Sequence, residues 1–223
     1  MVKTVLLAGA SGLVGGKIIE ELKNNDVRLI SLARKKLDVD YDLEEIICDF
    51  DEIDRLESQI IFDEVYIAIG KKLNLYDLLY LKKSKRNDFK KIDLDFIKNV
   101  AVFAKKNGAK SIGIVSAIGA NHKSKNVYLN IKGKTEREII SIGFQKSIIA
   151  QPSHLLGYRS NEKIQLSVCL FEKITNLFSF LMIGPLRKFR NVSASNVAKT
   201  MVTKMNDSSS GVSFLDFNDF KLY

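Results

Sequence analysis

Residues 4 to 16 read Thr4-Val5-Leu6-Leu7-Ala8-Gly9-Ala10-Ser11-Gly12-Leu13-Val14-Gly15-Gly16, and their order decides the fold. Thr4 to Leu7 is a short apolar run that stops at glycine, which is how a buried strand ends in a turn. Beyond the turn, Val14, Ile18, Ile19 and Leu22 recur at helical spacing, so Val14 to Leu22 reads as a helix. The same unit then repeats along the chain. Val27 to Leu32, Glu45 to Cys48 and Glu64 to Ile69 read as strands two to four, each bounded by polar residues or glycine. Asp93 to Lys106 carries Ile97, Val100, Ala101 and Ala104 on one face and closes at Asn107-Gly108, the pattern of a helix. Ser111 to Val115 is a fifth strand, Tyr128 to Ile142 a helix and Ser147 to Ala150 a sixth strand. Strands alternating with helices pair in parallel through right-handed crossovers. The expected fold is therefore α/β, a Rossmann-type doubly wound parallel sheet with helices on both faces.

After Pro152 the character changes. Leu166 to Met182 and Ala194 to Met205 read as helices, and Val212 to Phe217 as a late strand. With 223 residues and no long linker, residues 1–223 are expected to form one domain, in which 152–223 make a small C-terminal lobe packed on the same sheet. Leu177 to Ile183 is nearly all apolar and reads first as core, with a homodimer or membrane-surface patch as the alternative.

Composition narrows the function classes. Hydrophobic residues make up 46% of the chain and charged residues 27%, values of a folded soluble protein, and no run of roughly 18 apolar residues offers a membrane span. The N-terminal apolar stretch is broken by Gly9, Ser11 and Gly12 and does not read as a signal peptide. Cys48 and Cys169 form no CxxC pair, and His122 and His154 are the only histidines, so neither a disulfide framework nor a zinc site is supported. A reducing cytoplasm is the expected setting. A net charge of +9 fits an anionic ligand, but the dense stretch Lys82 to Lys91 reads as a solvated face or loop, and no stacking aromatics accompany it. Nucleic acid is accordingly disfavoured as a partner.

Gly9, Gly12 and Gly15 stand three apart between the first strand and the first helix. One permits the tight turn, one lets the backbone approach a pyrophosphate, and one lets the helix pack close to the strand. Amides at the helix start, around Ser11, Leu13 and Val14, then meet phosphate. The pattern predicts a nicotinamide dinucleotide. Chains that prefer NAD usually place a carboxylate near the end of the second strand, about twenty residues past the glycines. Here that place holds Arg34 and Lys35, and a guanidinium suits a 2′-phosphate, so NADP is expected over NAD. Asp49 and Phe50 after the third strand, and Ala68, Ile69 and Gly70 at the end of the fourth, lie where adenine and ribose would pass the strand ends.

Tyr128 and Lys132 are four residues apart, on one face of a helix, and follow Ser116 at the end of the fifth strand. A phenol with a reference pKa of about 10 moves a proton more readily beside a cation, while a serine hydroxyl holds a carbonyl oxygen. At these residues the chain resembles the short-chain dehydrogenase/reductase superfamily. The segments Val115 to Asn121, Tyr128 to Glu136, Gln151 to Gly157 and Gly184 to Lys188 are similar to the atypical branch that contains the human Tat-interacting protein and small bacterial relatives. The resemblance implies that Tyr128 is the acid/base, that Lys132 binds ribose and lowers the tyrosine pKa, and that Ser116 orients the carbonyl. It adds Pro152, within Gln151 to Gly157, to the cofactor-binding set. Gln151 departs from the arginine common there in relatives, and Leu73 to Lys85 reads as an enlarged basic loop.

Two functions follow as expectations. The first is an NADP(H)-dependent oxidoreductase acting on a small carbonyl or alcohol. The alternative is a non-catalytic NADP(H)-binding regulator with a protein partner.

Overall fold

Val5, Leu6, Leu7 and Ala8 have no exposed surface, so the first strand is buried on both faces and must lie centrally in a covered sheet. In the computed structural model, which describes residues 2–23, 25–37, 43–56, 59–157 and 184–222, it does. The main strands are β1 (Lys3–Ala8), β2 (Val27–Ala33), β3 (Glu44–Ile47), β4 (Glu64–Ile67), β5 (Ser111–Val115) and β6 (Lys146–Ala150). A short parallel pair, β7 (Leu155–Leu156) with β8 (Val192–Ser193), lies apart from them, and β9 (Gly211–Leu215) follows. The seven-stranded sheet has the order β3-β2-β1-β4-β5-β6-β9, and every neighbouring pair in it is parallel. Strand order reverses between β1 and β4. That is where such sheets open a crevice at their carboxyl edge.

The sheet divides the core in two. On one face Val5, Leu7, Tyr66 and Ile148 pack against α1 (Leu13–Leu22), and against the helix Ala194–Asn206 through Val197, Ala198 and Met201. On the other face Leu6, Ile30, Ile112 and Ile149 meet Ile97, Val100 and Ala104 of one helix and Ile139 of another. The late strand expected near Val212 is thus a full member of the sheet, with Gly211 to Leu215 in register with Lys146 to Ala150.

The basic stretch after β4 is a correction to the expected loop. It folds as α2 (Leu75–Leu79) and α3 (Lys83–Lys90), followed by a π-helical segment (Lys91–Phe96), α4 (Ile97–Lys106) and later α5 (Val127–Ile142). Asn74 and Asp77 cap α2 reciprocally, side chain to backbone, and the Asp77 carboxylate then takes Lys85 of α3 at 2.8 Å. Leu81 and Phe89 are buried beneath. Those apolar anchors are why a lysine-rich run is not a free loop. The remaining helices are α6 (Ala194–Asn206) and α7 (Phe217–Phe220). The expected helix Leu166 to Met182, the apolar stretch Leu177 to Ile183, and Cys169 lie outside the described residues. No helix among the described residues is long and apolar enough to cross a membrane.

Candidate active site

The glycine turn is built by backbone packing on backbone. Gly9 has φ of +94°, and a Cβ there would stand 2.6 Å from the carbonyl of Ala68. A Cβ at Gly15 would stand 2.0 Å from the Gly9 oxygen. These two glycines are demanded by the chain's own close approach. Gly12 is different: its added Cβ would meet the Gly9 oxygen at 3.0 Å and the Ala68 oxygen at 3.5 Å, tight rather than impossible contacts, and its amide donates to the Gly9 oxygen at 2.9 Å. Gly12 is also the N-cap of α1. No side chain caps this helix and its first turn holds no acid, so the partial positive charge of its N-terminus stays uncompensated. Ser11 is exposed, Leu13 half-buried and Val14 buried in the core.

The other proposed contacts gather at the same edge, because each follows the carboxyl end of a parallel strand. Arg34 and Lys35 follow β2 and are exposed; the Arg34 guanidinium stands 5.8 Å from the centre of the Phe96 ring. Asp49 is exposed after β3, but Phe50 is buried in the core with its ring edge-on to Phe96 at 5.5 Å. The Phe50 carbonyl itself accepts from Asn99. β4 ends at Ile67, two residues earlier than expected, and Ala68, Ile69 and Gly70 leave the sheet beside Gly9. Pro152 is buried after β6, its carbonyl accepting from the Ile118 amide at 3.0 Å.

A second, polar cluster sits beside the first. Ser116, immediately after β5, donates its hydroxyl hydrogen to Oε1 of Glu136, which also accepts from Nε2 of Gln151 at 2.8 Å. Lys132 Nζ lies 2.8 Å from Asp93 Oδ1 in an ion pair whose side chains are 7% and 2% exposed, and 3.4 Å from the Val115 carbonyl. Asp93 belongs to the π-helical segment. Its second oxygen accepts the Lys71 amide at 2.9 Å, and its backbone carbonyl takes the Thr135 hydroxyl at 2.6 Å. The Tyr128 ring is tilted against Phe89 at 5.5 Å.

Charge follows from this packing. Burial pushes the Tyr128 phenol up, and Asp93 adds to that, while Lys132 pulls it down without reversing the shift. The expected lowering by Lys132 is thus present as a force but outweighed, by burial first and then by Asp93. For Lys132 itself burial disfavours the charge, yet Asp93, Tyr128 and Glu136 together hold its pKa above the ordinary value. The Glu136 carboxyl is raised, by burial first, against the opposing pull of Ser116, Gln151 and Lys132. Asp93 and Glu136 were not singled out from the sequence. Glu136 lies four residues past Lys132, on the same helical face, and that spacing was the available signal.

No family model matches the chain. Comparison with curated proteins does find relatives. The mitochondrial protein FMP52 of Candida albicans is 30% identical over 164 residues, 70% of this chain and 69% of that protein. FMP52 of Candida glabrata is 30% identical over 184 residues, 79% of this chain and 74% of that protein. Rat HTATIP2 is 23% identical over 168 residues, 72% and 66% respectively. Among solved structures, a UDP-glucose 4-epimerase from Thermotoga maritima with UDP-glucose superposes with a TM-score of 0.69 at 14% identity, covering 98% of this chain and 81% of that one. MoeE5 in complex with UDP-glucuronic acid and NAD gives 0.68 at 13% identity, covering 95% and 75%.

These relatives correct the cytoplasmic assignment, since those named FMP52 are named as mitochondrial. Two widely spaced cysteines, with Cys48 free, argue against a disulfide framework but do not tell one reducing compartment from another. Identity of 30% over more than two thirds of the relative's length, on a Rossmann-type sheet, settles the kinship: the chain belongs to the FMP52 family, among the atypical short-chain dehydrogenase/reductases.

Proposed function

We propose that the chain is an NADP(H)-dependent oxidoreductase that moves hydride between the cofactor and a small carbonyl or alcohol. The observation that supports this reading is an uncapped helix behind a glycine turn at the carboxyl edge of the sheet, with Ser116 after β5 bonded to Glu136 and Lys132, paired with Asp93, on the helix that carries Tyr128. The residues fit the cofactor. Gly12 puts no side chain at the half-buried start of α1 where a pyrophosphate would approach, the α1 N-terminus favours an anion, and exposed Arg34 and Lys35 suit a 2′-phosphate. Neighbours of the same fold, such as MoeE5, are seen in complex with NAD.

When bound, the nicotinamide supplies or accepts hydride at the substrate carbon. The chain's own residues manage the oxygen. Tyr128 gives its phenolic proton to the oxygen in reduction and takes it back in oxidation. Lys132, anchored by Asp93, keeps a positive charge near the phenol that favours the phenolate left behind. Ser116 offers a hydrogen bond to the same oxygen, and the buried setting of the cluster keeps competing water away from it. In Tyr128→Phe, reduction of an accepted carbonyl should fall about 10² to 10⁴-fold with NADPH affinity unchanged. NADPH consumption across a panel of aldehydes, ketones and quinones checks it. Binding without turnover of any of them would favour the second reading, a regulator that responds to the cofactor.

A further inference from the structure

Glu136 is a buried carboxylate with no part in the mechanism above. It is 6% exposed, it lies one helical turn beyond Lys132, and Oε1 receives both the Ser116 hydroxyl and the Gln151 amide. A serine hydroxyl has one hydrogen and two lone pairs, and an ionised carboxylate only accepts. While Glu136 is ionised it therefore consumes the single hydrogen of Ser116. The serine oxygen then has lone pairs alone to offer a ligand. A substrate alcohol, whose hydroxyl donates, can use them; a carbonyl oxygen, which only accepts, cannot. A protonated Glu136 reverses the bond, because its own hydroxyl donates to Ser116 while its remaining lone pairs serve Gln151.

Resting on the oxidoreductase reading, we propose that Glu136 is a positioning residue whose proton sets the direction of the Ser116 hydroxyl, making Ser116 a donor for a carbonyl or an acceptor for an alcohol. The charges around it permit both states. Ser116 faces it from the end of β5 and Gln151 from the end of β6, and neither is charged. Lys132 faces it from one turn back along α5, but the Lys132 charge is matched by Asp93 from the π-helical segment. Burial raises the carboxyl, and the two hydrogen bonds with Lys132 pull it back only in part. A group raised in this way stays protonated to higher pH than an exposed glutamate. Carbonyl reduction should thus decline, and alcohol oxidation rise, as pH climbs through the Glu136 ionisation.

The test is the pH profile of kcat/KM for NADPH-linked reduction of 9,10-phenanthrenequinone, from about pH 5 to about pH 9, in the parent and in Glu136→Gln. The amide of glutamine keeps the size of the side chain and carries no ionisable proton; with its nitrogen at the Oε1 position it donates to Ser116, and Gln151 turns its own amide oxygen inward to accept the second hydrogen. The parent should lose about tenfold per pH unit above the Glu136 ionisation, and Glu136→Gln should lose that limb while keeping the low-pH rate. Retention of the limb in Glu136→Gln would overturn the proposal, because a purely structural glutamate would not move it. Infrared spectra of the parent minus Glu136→Gln, without substrate, give an independent reading. A protonated-carboxyl band that disappears at a pH above the ordinary carboxylate range, and that shifts in Ser116→Ala, is expected. A parent that shows this band yet reduces no carbonyl would sink the oxidoreductase reading alone. A carboxyl that ionises in the ordinary range would sink the Glu136 proposal alone.

Discussion

The glycine motif Gly9 to Gly15, which joins β1 to the first turn of α1, has decisive contacts that are backbone on backbone, Gly15 against Gly9 and Gly9 against Ala68. The polar cluster at Ser116 is made the opposite way. Its members come from the ends of β5 and β6, from α5 and from the π-helical segment, with Ser116 and Glu136 separated by 20 residues and Asp93 and Thr135 by 42. The turn is specified by what is missing, a side chain. The cluster is specified by paired charges and hydrogen bonds whose removal leaves a partner stranded. The two regions should therefore fail differently: the turn through crowding and lost ligand affinity, the cluster through exposed imbalance in a dry interior.

The largest effect on stability is expected at Lys132→Met. It leaves Asp93 buried without its cation, and breaking one side of a buried pair costs about 3 to 5 kcal/mol. Thermal unfolding should show the loss, and adding Asp93→Asn should restore part of it. If Lys132→Met melts with the parent, the cluster is not held by this pair and the contrast between the two regions collapses.

Next comes Arg34→Ala, which should leave the fold intact. A charge-assisted hydrogen bond contributes about 1.5 to 3 kcal/mol, so NADPH affinity should drop about 10 to 150-fold while NADH affinity changes little. Fluorescence titration with both cofactors reads the difference. Equal losses for the two would mean that Arg34 serves the Phe96 ring rather than a phosphate.

The finest comparison lies inside the turn. Gly15→Ala should cost about 1 to 3 kcal/mol in denaturant unfolding, because a methyl would press on the Gly9 carbonyl, with backbone on both sides. Gly12→Ala meets a looser contact and should lose cofactor affinity with a smaller change in stability. Equal destabilisation by the two would show that Gly12 is also a packing residue.

The contrast also explains what was legible in the sequence. Local signals carry the sheet: the sequence places β5 at Ser111 to Val115, as found, and the glycine spacing marks the turn after β1, which the strand order puts beside the reversal between β1 and β4. The stretch after β4 misled because eight lysines and arginines between residues 71 and 91 outweighed the Asn74 and Asp77 capping signal, and because burial of Leu81 and Phe89 is a tertiary fact. The π-helical segment was invisible, since apolar periodicity from Ile97 onward is the same whether or not an extra residue is inserted before it. Asp93 could not be paired with Lys132, nor Glu136 with Ser116, until crossovers brought separate elements together. Ser116, Tyr128 and Lys132 stand out in the sequence because their spacing resembles a known family. The carboxylates that tie two of them down answer to the interior of this chain.

The central claim is that the glycine turn and the end of β2 hold a phosphorylated nicotinamide dinucleotide. It is tested most directly by calorimetric titration of NADPH and NADH into the parent and into Gly12→Asp, with folding of the variant verified by its thermal transition. One NADPH per chain should bind the parent more tightly than NADH, and Gly12→Asp should bind neither, because its carboxylate would fill and repel at the pyrophosphate position. Unchanged NADPH affinity in a folded Gly12→Asp would contradict the claim.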